Sequence, residues 1–121
     1  MKILLDTNFL LVPGQFRADI YSQLRGHTLF TLDVCVRELL KLVKGKGVAR
    51  KHAIVALALV KTKRLKVVTT GKSGGADRII ISYAVANKCV VATNDRVLIK
   101  ALKNKGVKVI RLRQKKLITE G

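Results

Sequence analysis

Aromatic residues are scarce in this 121-residue chain, which has no Trp, two Tyr and three Phe. Phe9, Phe16, Tyr21, Phe30 and Tyr83 are too few and too scattered to build a sheet that recognises nucleic acid by stacking bases on rings. Cysteine is nearly absent as well. Cys35 and Cys89 have no second Cys or His at metal-ligand spacing, which excludes a zinc module and leaves both as small buried apolar residues. The only histidines, His27 and His52, sit beside Arg25 and Lys51 and read as solvated. Long apolar runs are missing too. The longest, from Ala53 to Val60, falls well short of the ~20 residues that span a bilayer. Lys2-Ile3-Leu4-Leu5 meets Asp6 before a secretory leader could develop, so a cytosolic compartment is expected and no membrane partner. The deepest deficit is in acids, seven Asp plus Glu against 25 Lys plus Arg, for a formal charge of +18.

What is present is apolar and basic. Hydrophobic residues make up 49% of the chain, too many for a disordered polyelectrolyte and enough for a core without disulfide or metal staples. The length suits one domain, residues 1–121. So large a positive charge would repel itself without a polyanionic partner, and nucleic acid is the expected one. Candidate phosphate contacts are Arg37, Lys41 and Lys44 at helical spacing, with Lys46, Arg50, Lys72 and Arg96. An anionic membrane is a poorer match, because no amphipathic helix carries interfacial aromatics.

Five short apolar runs rich in β-branched residues read as strands: Lys2 to Leu5, Thr28 to Leu32, Lys66 to Thr69, Cys89 to Ala92, and Lys108 to Leu112. Their near-continuous apolarity predicts a parallel sheet covered on both faces. Val36, Leu39, Leu40 and Val43 follow helical spacing, as do Asp77, Ile80, Ile81 and Ala84. Ala49 to Lys61 reads as a mostly buried helix, and Val97, Leu98, Ala101 and Leu102 as a last short one closed by Gly106. The order β-α-β-α-α-β-α-β-α-β predicts a three-layer α/β/α sandwich with right-handed crossovers. Lys115 to Gly121 is expected to fray as a flexible basic tail, and Gly71-Lys72-Ser73-Gly74-Gly75 to be a loose loop. Apolar helical surface beyond the needs of the core is compatible with a homodimer.

Gly71-Lys72-Ser73 invites a phosphate-loop reading, but that motif needs its first Gly where this chain has Lys66. The carboxylates carry more information. Asp6 ends the first strand and Asp95 follows the fourth, and ligand sites of open α/β sheets lie at the carboxyl ends of strands. Asp77 opens a helix and Glu38 lies in the first turns of another, which brings both to the same edge. Carboxylates that sense one another need a neutralising cation, and an all-oxygen donor set suits Mg²⁺ or Mn²⁺. The competing reading is helix capping, since Asp is a preferred N-cap and each of these three Asp precedes a helix. Asp33, with Arg37 at i+4, looks like a plain cap, and Asp19 and Glu120 look like surface charge.

Asp6-Thr7-Asn8, Glu38 within Val36-Arg37-Glu38-Leu39, Asp77 within Ala76-Asp77-Arg78-Ile79, and Thr93-Asn94-Asp95 together resemble the signature of PIN-domain ribonucleases, in the right order over residues 1–112. The resemblance implies a five-stranded parallel sheet in strand order 3-2-1-4-5, with the first and fourth strands side by side. It implies a metal-dependent endoribonuclease in which Asp6, Glu38, Asp77 and Asp95 hold Mg²⁺ or Mn²⁺, and Thr7, Asn8, Thr93 and Asn94 orient carboxylates or the scissile phosphate. Within the family, Val91 to Asp95 and Val109 to Arg113 look most like the branch that processes small-subunit ribosomal RNA. A VapC-type toxin ribonuclease is the alternative within the family, since such toxins share the acidic set but usually carry a less basic surface. A noncatalytic RNA-binding assembly factor on the same fold is the alternative from another class, and a complete acidic set argues against it. The processing branch often has two consecutive acids where this chain has Ala76-Asp77, which lowers the charge of the site.

Phosphate contacts without stacking have a measurable signature. RNA affinity is expected to fall steeply with salt and to differ little between two unrelated sequences, as a titration on both would show. A shallow slope or a large gap between the two would reveal base readout.

Overall fold

The computed structural model describes residues 1–119 in full and the backbone of Glu120; Gly121 and the side chain of Glu120, with the surface-charge reading of the latter, lie outside the described residues. The six strands are β1 (Lys2–Leu5), β2 (Thr28–Leu32), β3 (Lys66–Val68), β4 (Val90–Ala92), β5 (Val109–Arg113) and β6 (Lys116–Glu120). They form one sheet in the order β3-β2-β1-β4-β5-β6, parallel except where β6 pairs antiparallel with β5. The chain works outward from β1 to β3, then returns and works outward on the other side from β4. Between β1 and β4 lies the topological switch point, where crossovers diverge to opposite faces and open a crevice. Leu5 stands in register with Ala92 there, and the Asp6 amide donates to the Ala92 carbonyl at 3.2 Å.

β1 and β4 have no solvent face. Ile3, Leu4 and Leu5 are wholly buried in succession, as are Val91 and Ala92, which is why these strands read as continuous apolar runs. Right-handed crossovers place the helices between β1 and β3 on one face and α6 (Ala76–Asn87) and α7 (Arg96–Asn104) on the other. The first group comprises α1 (Thr7–Leu10), α2 (Val12–Phe16), α3 (Ile20–Gln23), α4 (Asp33–Val43) and α5 (Gly47–Thr62).

The expected single helix after β1 is three short ones. Pro13 lacks an amide to continue α1, Arg17 leaves α2 in the left-handed conformation at φ 52°, and Asp19 caps α3 by accepting from the Ser22 amide. The expected burial of α5 is also corrected. Only Ala53 and Ala56 are buried, while Val48, Ile54 and Val55 are exposed. This helix packs on α4 and α2 rather than directly on the sheet, so a narrow stripe of small residues is all it buries. Gly14 of α2 belongs to that contact: a Cβ there would stand 3.3 Å from the His52 Cα, and His52 is half-buried rather than solvated.

The tail is a strand, making the sheet six-stranded rather than five. Gln114 and Lys115 both adopt positive φ, at 50° and 64°, which gives the tight two-residue turn that matches strand twist. Neither residue is among those that advertise such a turn, hence the miss. Gln23 clamps the hairpin by donating to the Lys115 carbonyl and accepting from the Leu117 amide.

The segment after β3 is likewise tethered at its start. Asp33 accepts from the Thr70 hydroxyl at 2.8 Å and from the amides of Thr70 and Gly71 at 3.0 and 3.2 Å, and Arg37 donates to the Lys72 carbonyl. Desolvation opposes the Asp33 charge, but these bonds and that from the Val34 amide outweigh it and hold the carboxyl down at about 2. Asp33→Ala is expected to destabilise the fold by roughly 1–3 kcal/mol, since it strips the acceptor from four neighbouring donors. Denaturant melts and limited proteolysis at residues 70–75 would check it; an unchanged midpoint would show that the tether is dispensable.

Candidate active site

At the carboxyl edge of β1 and β4, Asp6, Thr7, Asn8, Leu11, Glu38, Ala76, Asp77, Ile80 and Asp95 line one cleft of about 230 Å³. The four acids arrive on four separate segments. Asp6 follows β1 directly and is 4% exposed. Its Oδ1 accepts from the Phe9 amide at 2.7 Å, so it caps α1. Asp95 caps α7 in the same way, with Oδ1 accepting from the amides of Val97 and Leu98. Glu38, on α4, accepts from the Thr7 hydroxyl. Asp77 is the second residue of α6, whose N-cap is Gly75, and its carboxylate makes no hydrogen bond among the described residues. Capping therefore accounts for part of what Asp6 and Asp95 do and for nothing that Asp77 does.

Thr93 joins the two central acids. Its side chain is fully buried, its hydroxyl oxygen accepts from the Asp95 amide at 3.1 Å, and it hydrogen-bonds the Asp6 carboxylate. Thr7 and Thr93 thus each hold an acid, and Asn8 stands exposed at the mouth. Asn94 does not belong to the cleft lining. Its Oδ1 is taken by the Leu112 amide at 2.7 Å, which ties the β4–α7 turn to β5.

The electrostatics of the cleft differ from those of the surface. Among the described residues the only ion pair is Arg37 with Asp33, at 3.5 Å, so no cation of this basic chain pairs with Asp6, Glu38, Asp77 or Asp95. Burial pushes the Asp6 carboxyl up to about 7, and the charges of Asp95 and Asp77 add to this against the bonds from Thr93 and Phe9. Asp77 is raised by desolvation and by the charges of Asp95 and Glu38. Oxygen-only donors that sense one another's charge and lack a basic partner fit a hard divalent cation. Among the described residues no three of these side chains converge closely enough to hold an ion jointly.

The basic candidates are dispersed. Arg37 and Lys41 flank Glu38 on α4, and Arg37 is partly spent on Asp33 and the Lys72 carbonyl. Arg50 donates to the Val43 carbonyl at 3.0 Å and so braces the α4–α5 turn, where Lys44 and Lys46 are exposed. Lys72 lies on the tethered loop, and Arg96 is exposed immediately after Asp95. No local signal marks Asp33 as the organiser of this rim, because its partners lie 37 and 38 positions away.

The raised Asp6 carboxyl has a consequence for stability. The folded protein holds that proton up to about pH 7, whereas the unfolded chain releases it near 3.8. Between those values the folded state binds more protons, so stability falls as pH rises. In chelator, the melting temperature is expected to drop from pH 5 to pH 8 by more in wild type than in Asp6→Asn. Equal slopes for the two proteins would refute the shift.

Comparison with known proteins agrees with this geometry. The family model described as "PIN like domain" matches residues 3–115. Ribonuclease VapC4 of Methanocaldococcus jannaschii is 31% identical over 95% of this chain and 92% of its own length. Ribonuclease VapC9 of Archaeoglobus fulgidus is 28% identical over 93% of this chain and 84% of its own length. Among solved structures, VapBC2 from Rickettsia felis bound to a DNA fragment from their promoter superposes with a TM-score of 0.66 at 17% identity, covering 93% of this chain and all of that one. At that identity the superposition speaks for the fold, which is the α/β architecture expected, with one more strand. The full-length sequence match and the switch-point cleft lead to one conclusion: this chain belongs to the PIN-like domain family.

Proposed function

We propose that this protein is a divalent-metal-dependent endoribonuclease of the VapC toxin type. The observation that carries the chemistry is the cleft itself: four carboxylates kept clear of ion pairs in a chain with a net charge of +18. Unpaired acids in such a surplus of cations are costly unless an external cation neutralises them. The toxin-type reading rests on the relatives, which are named VapC ribonucleases, and it displaces the ribosomal RNA-processing branch, which none of them supports. The solved VapBC2 is named for a pair, which supports a VapB-type protein partner beside RNA.

On this reading Asp6, Glu38, Asp77 and Asp95 hold Mg²⁺ or Mn²⁺. When bound, the ion supplies a nucleophilic water at neutral pH and neutralises charge on the scissile phosphate. Thr93 holds the Asp6 carboxylate beside the Asp95 turn, and Thr7 holds Glu38, so these acids stay at the cleft from which they would close on the ion. Asn8 is placed to donate to a phosphate oxygen at the mouth. Leu11, Ala76 and Ile80 give the cleft an apolar wall that limits bulk water. Arg37, Lys41, Lys44, Lys46, Lys72 and Arg96 draw the polyanion in, while Arg50 acts chiefly through the turn it braces.

Incubation of single-stranded RNA with the protein and Mg²⁺ or Mn²⁺ is expected to give internal cleavage that chelator abolishes. Asp6→Asn and Asp95→Asn should each lower the rate by more than the roughly 10–100-fold typical of an outer-shell change, with RNA binding retained. Cleavage that survives chelator would overturn the metal assignment. Growth arrest on expression of wild type, but not of Asp6→Asn, is the expected mark of the toxin type. Cleavage confined to a structured ribosomal fragment, without arrest, would restore the processing role.

A further inference from the structure

A second concavity, about 630 Å³ against about 230 Å³ for the acid cleft, runs along the flank of the sheet between α7 and β5. It starts at Asn94 and Arg96, on either side of Asp95, and continues past Lys100 to Lys103, with Ile99 and Leu112 among its lining residues. Arg96, Lys100 and Lys103 are spaced i, i+4, i+7, so they stand in one row on α7. All three are exposed, and none is in an ion pair among the described residues.

The wall that bears this row is rigid at the end that matters. Asp95 caps the first turn of α7, and Asn94 is bonded to the β5 backbone at Leu112. The row therefore keeps a constant position relative to the acid cleft. From Arg96 to Lys103 a helix rises about 10 Å, so the row is long enough to meet more than one phosphate of a strand laid along it. One row on one helix matches the phosphates of one strand; a duplex would need a second row for its second backbone. Ile99 and Leu112 offer apolar contact without an aromatic ring, so the groove can hold sugar and base surface but cannot stack on it.

We propose that the α7–β5 groove is the track for the RNA strand flanking the scissile phosphate, with Arg96, Lys100 and Lys103 holding successive phosphates. This rests on the nuclease reading for the identity of the polyanion. An acidic protein segment is the rival occupant. Continuity with the acid cleft favours RNA, because a cleaved strand must continue past Asp95 on at least one side.

The experiment compares the double reversal Lys100→Glu/Lys103→Glu with Lys61→Glu/Lys63→Glu, an equal charge change at the end of α5 beside the opposite sheet edge. Fluorescence anisotropy in chelator reads binding of a labelled single-stranded RNA long enough to fill cleft and groove. The groove variant should bind roughly tenfold or more weakly and lose about one to two from the slope of log affinity against log salt; the control should change much less. Cleavage of a short RNA confined to the cleft should be unaffected by the groove variant, while KM for the long one rises. Equal losses in both variants would show diffuse attraction and overturn the track. So would failure of wild type to bind RNA, and groove-dependent capture of polyglutamate but not RNA would assign the groove to the rival. Groove-dependent RNA binding with no cleavage in Mg²⁺ or Mn²⁺ would sink the nuclease reading and leave the track standing.

Discussion

The parallel pairing of β1 with β4 is the constraint on which the rest depends. Leu5 and Ala92 are 87 positions apart along the chain yet lie in register, and each strand is followed directly by a residue that serves the cleft. Because the chain reverses its direction of travel across the sheet at this pair, the flanking crossovers part and leave a crevice at the carboxyl edge. Asp6 enters it from β1. Thr93 enters from β4 and bonds both Asp6 and the turn that carries Asp95. Glu38 and Asp77 reach it because α4 and α6 start at the same edge, after β2 and after the loop that follows β3.

Charge in this molecule is organised by exclusion. Asp33 is the one acid that takes an ion pair among the described residues, and it also gathers Thr70 and Gly71, stabilising the approach to α6. Three of the cleft acids, Asp6, Glu38 and Asp95, are turned instead toward hydroxyls and amides. Such partners hold a carboxylate in place without neutralising it, so burial, with repulsion from the neighbouring acids added to it, keeps the Asp6 and Asp77 carboxyls raised. A site built this way is electrostatically unfinished. The surrounding cations make the field of the surface positive at a distance, while the cleft itself keeps a local deficit of positive charge.

Much of the fold was legible. The apolar runs placed β1 and β2 to the residue, because fully buried strands need unbroken apolar sequence on both faces. Gly106 marked the end of α7 and adopts φ 76°. Legibility failed where local residues lack a distinctive signal. Gln114 and Lys115 form a tight turn without Gly or Asn, so β6 read as a tail. The apolar composition of α5 suggested burial, but a helix packed on helices hides only the stripe its neighbours reach, here Ala53 and Ala56. For the site, type and position point to four acids at one sheet edge, and Asp6, Glu38, Asp77 and Asp95 do line one cleft, whereas Asn94 lies outside that lining and its Oδ1 accepts from the Leu112 amide of β5.

The sequence by itself determined the class of fold, the strong positive charge and which acids stand at strand ends and helix starts. These depend on composition and local period, which a linear chain carries openly: alternating strand and helix signals, an excess of cations, and acids at strand ends. The tertiary structure alone decided which acids sense one another, that Thr93 couples Asp6 to Asp95, that Asp33 tethers a loop 37 positions away, and that a cationic row on α7 continues from the cleft. Those properties depend on distances between residues remote in the chain, and the closing of the sheet at β1 and β4 is what makes such distances short.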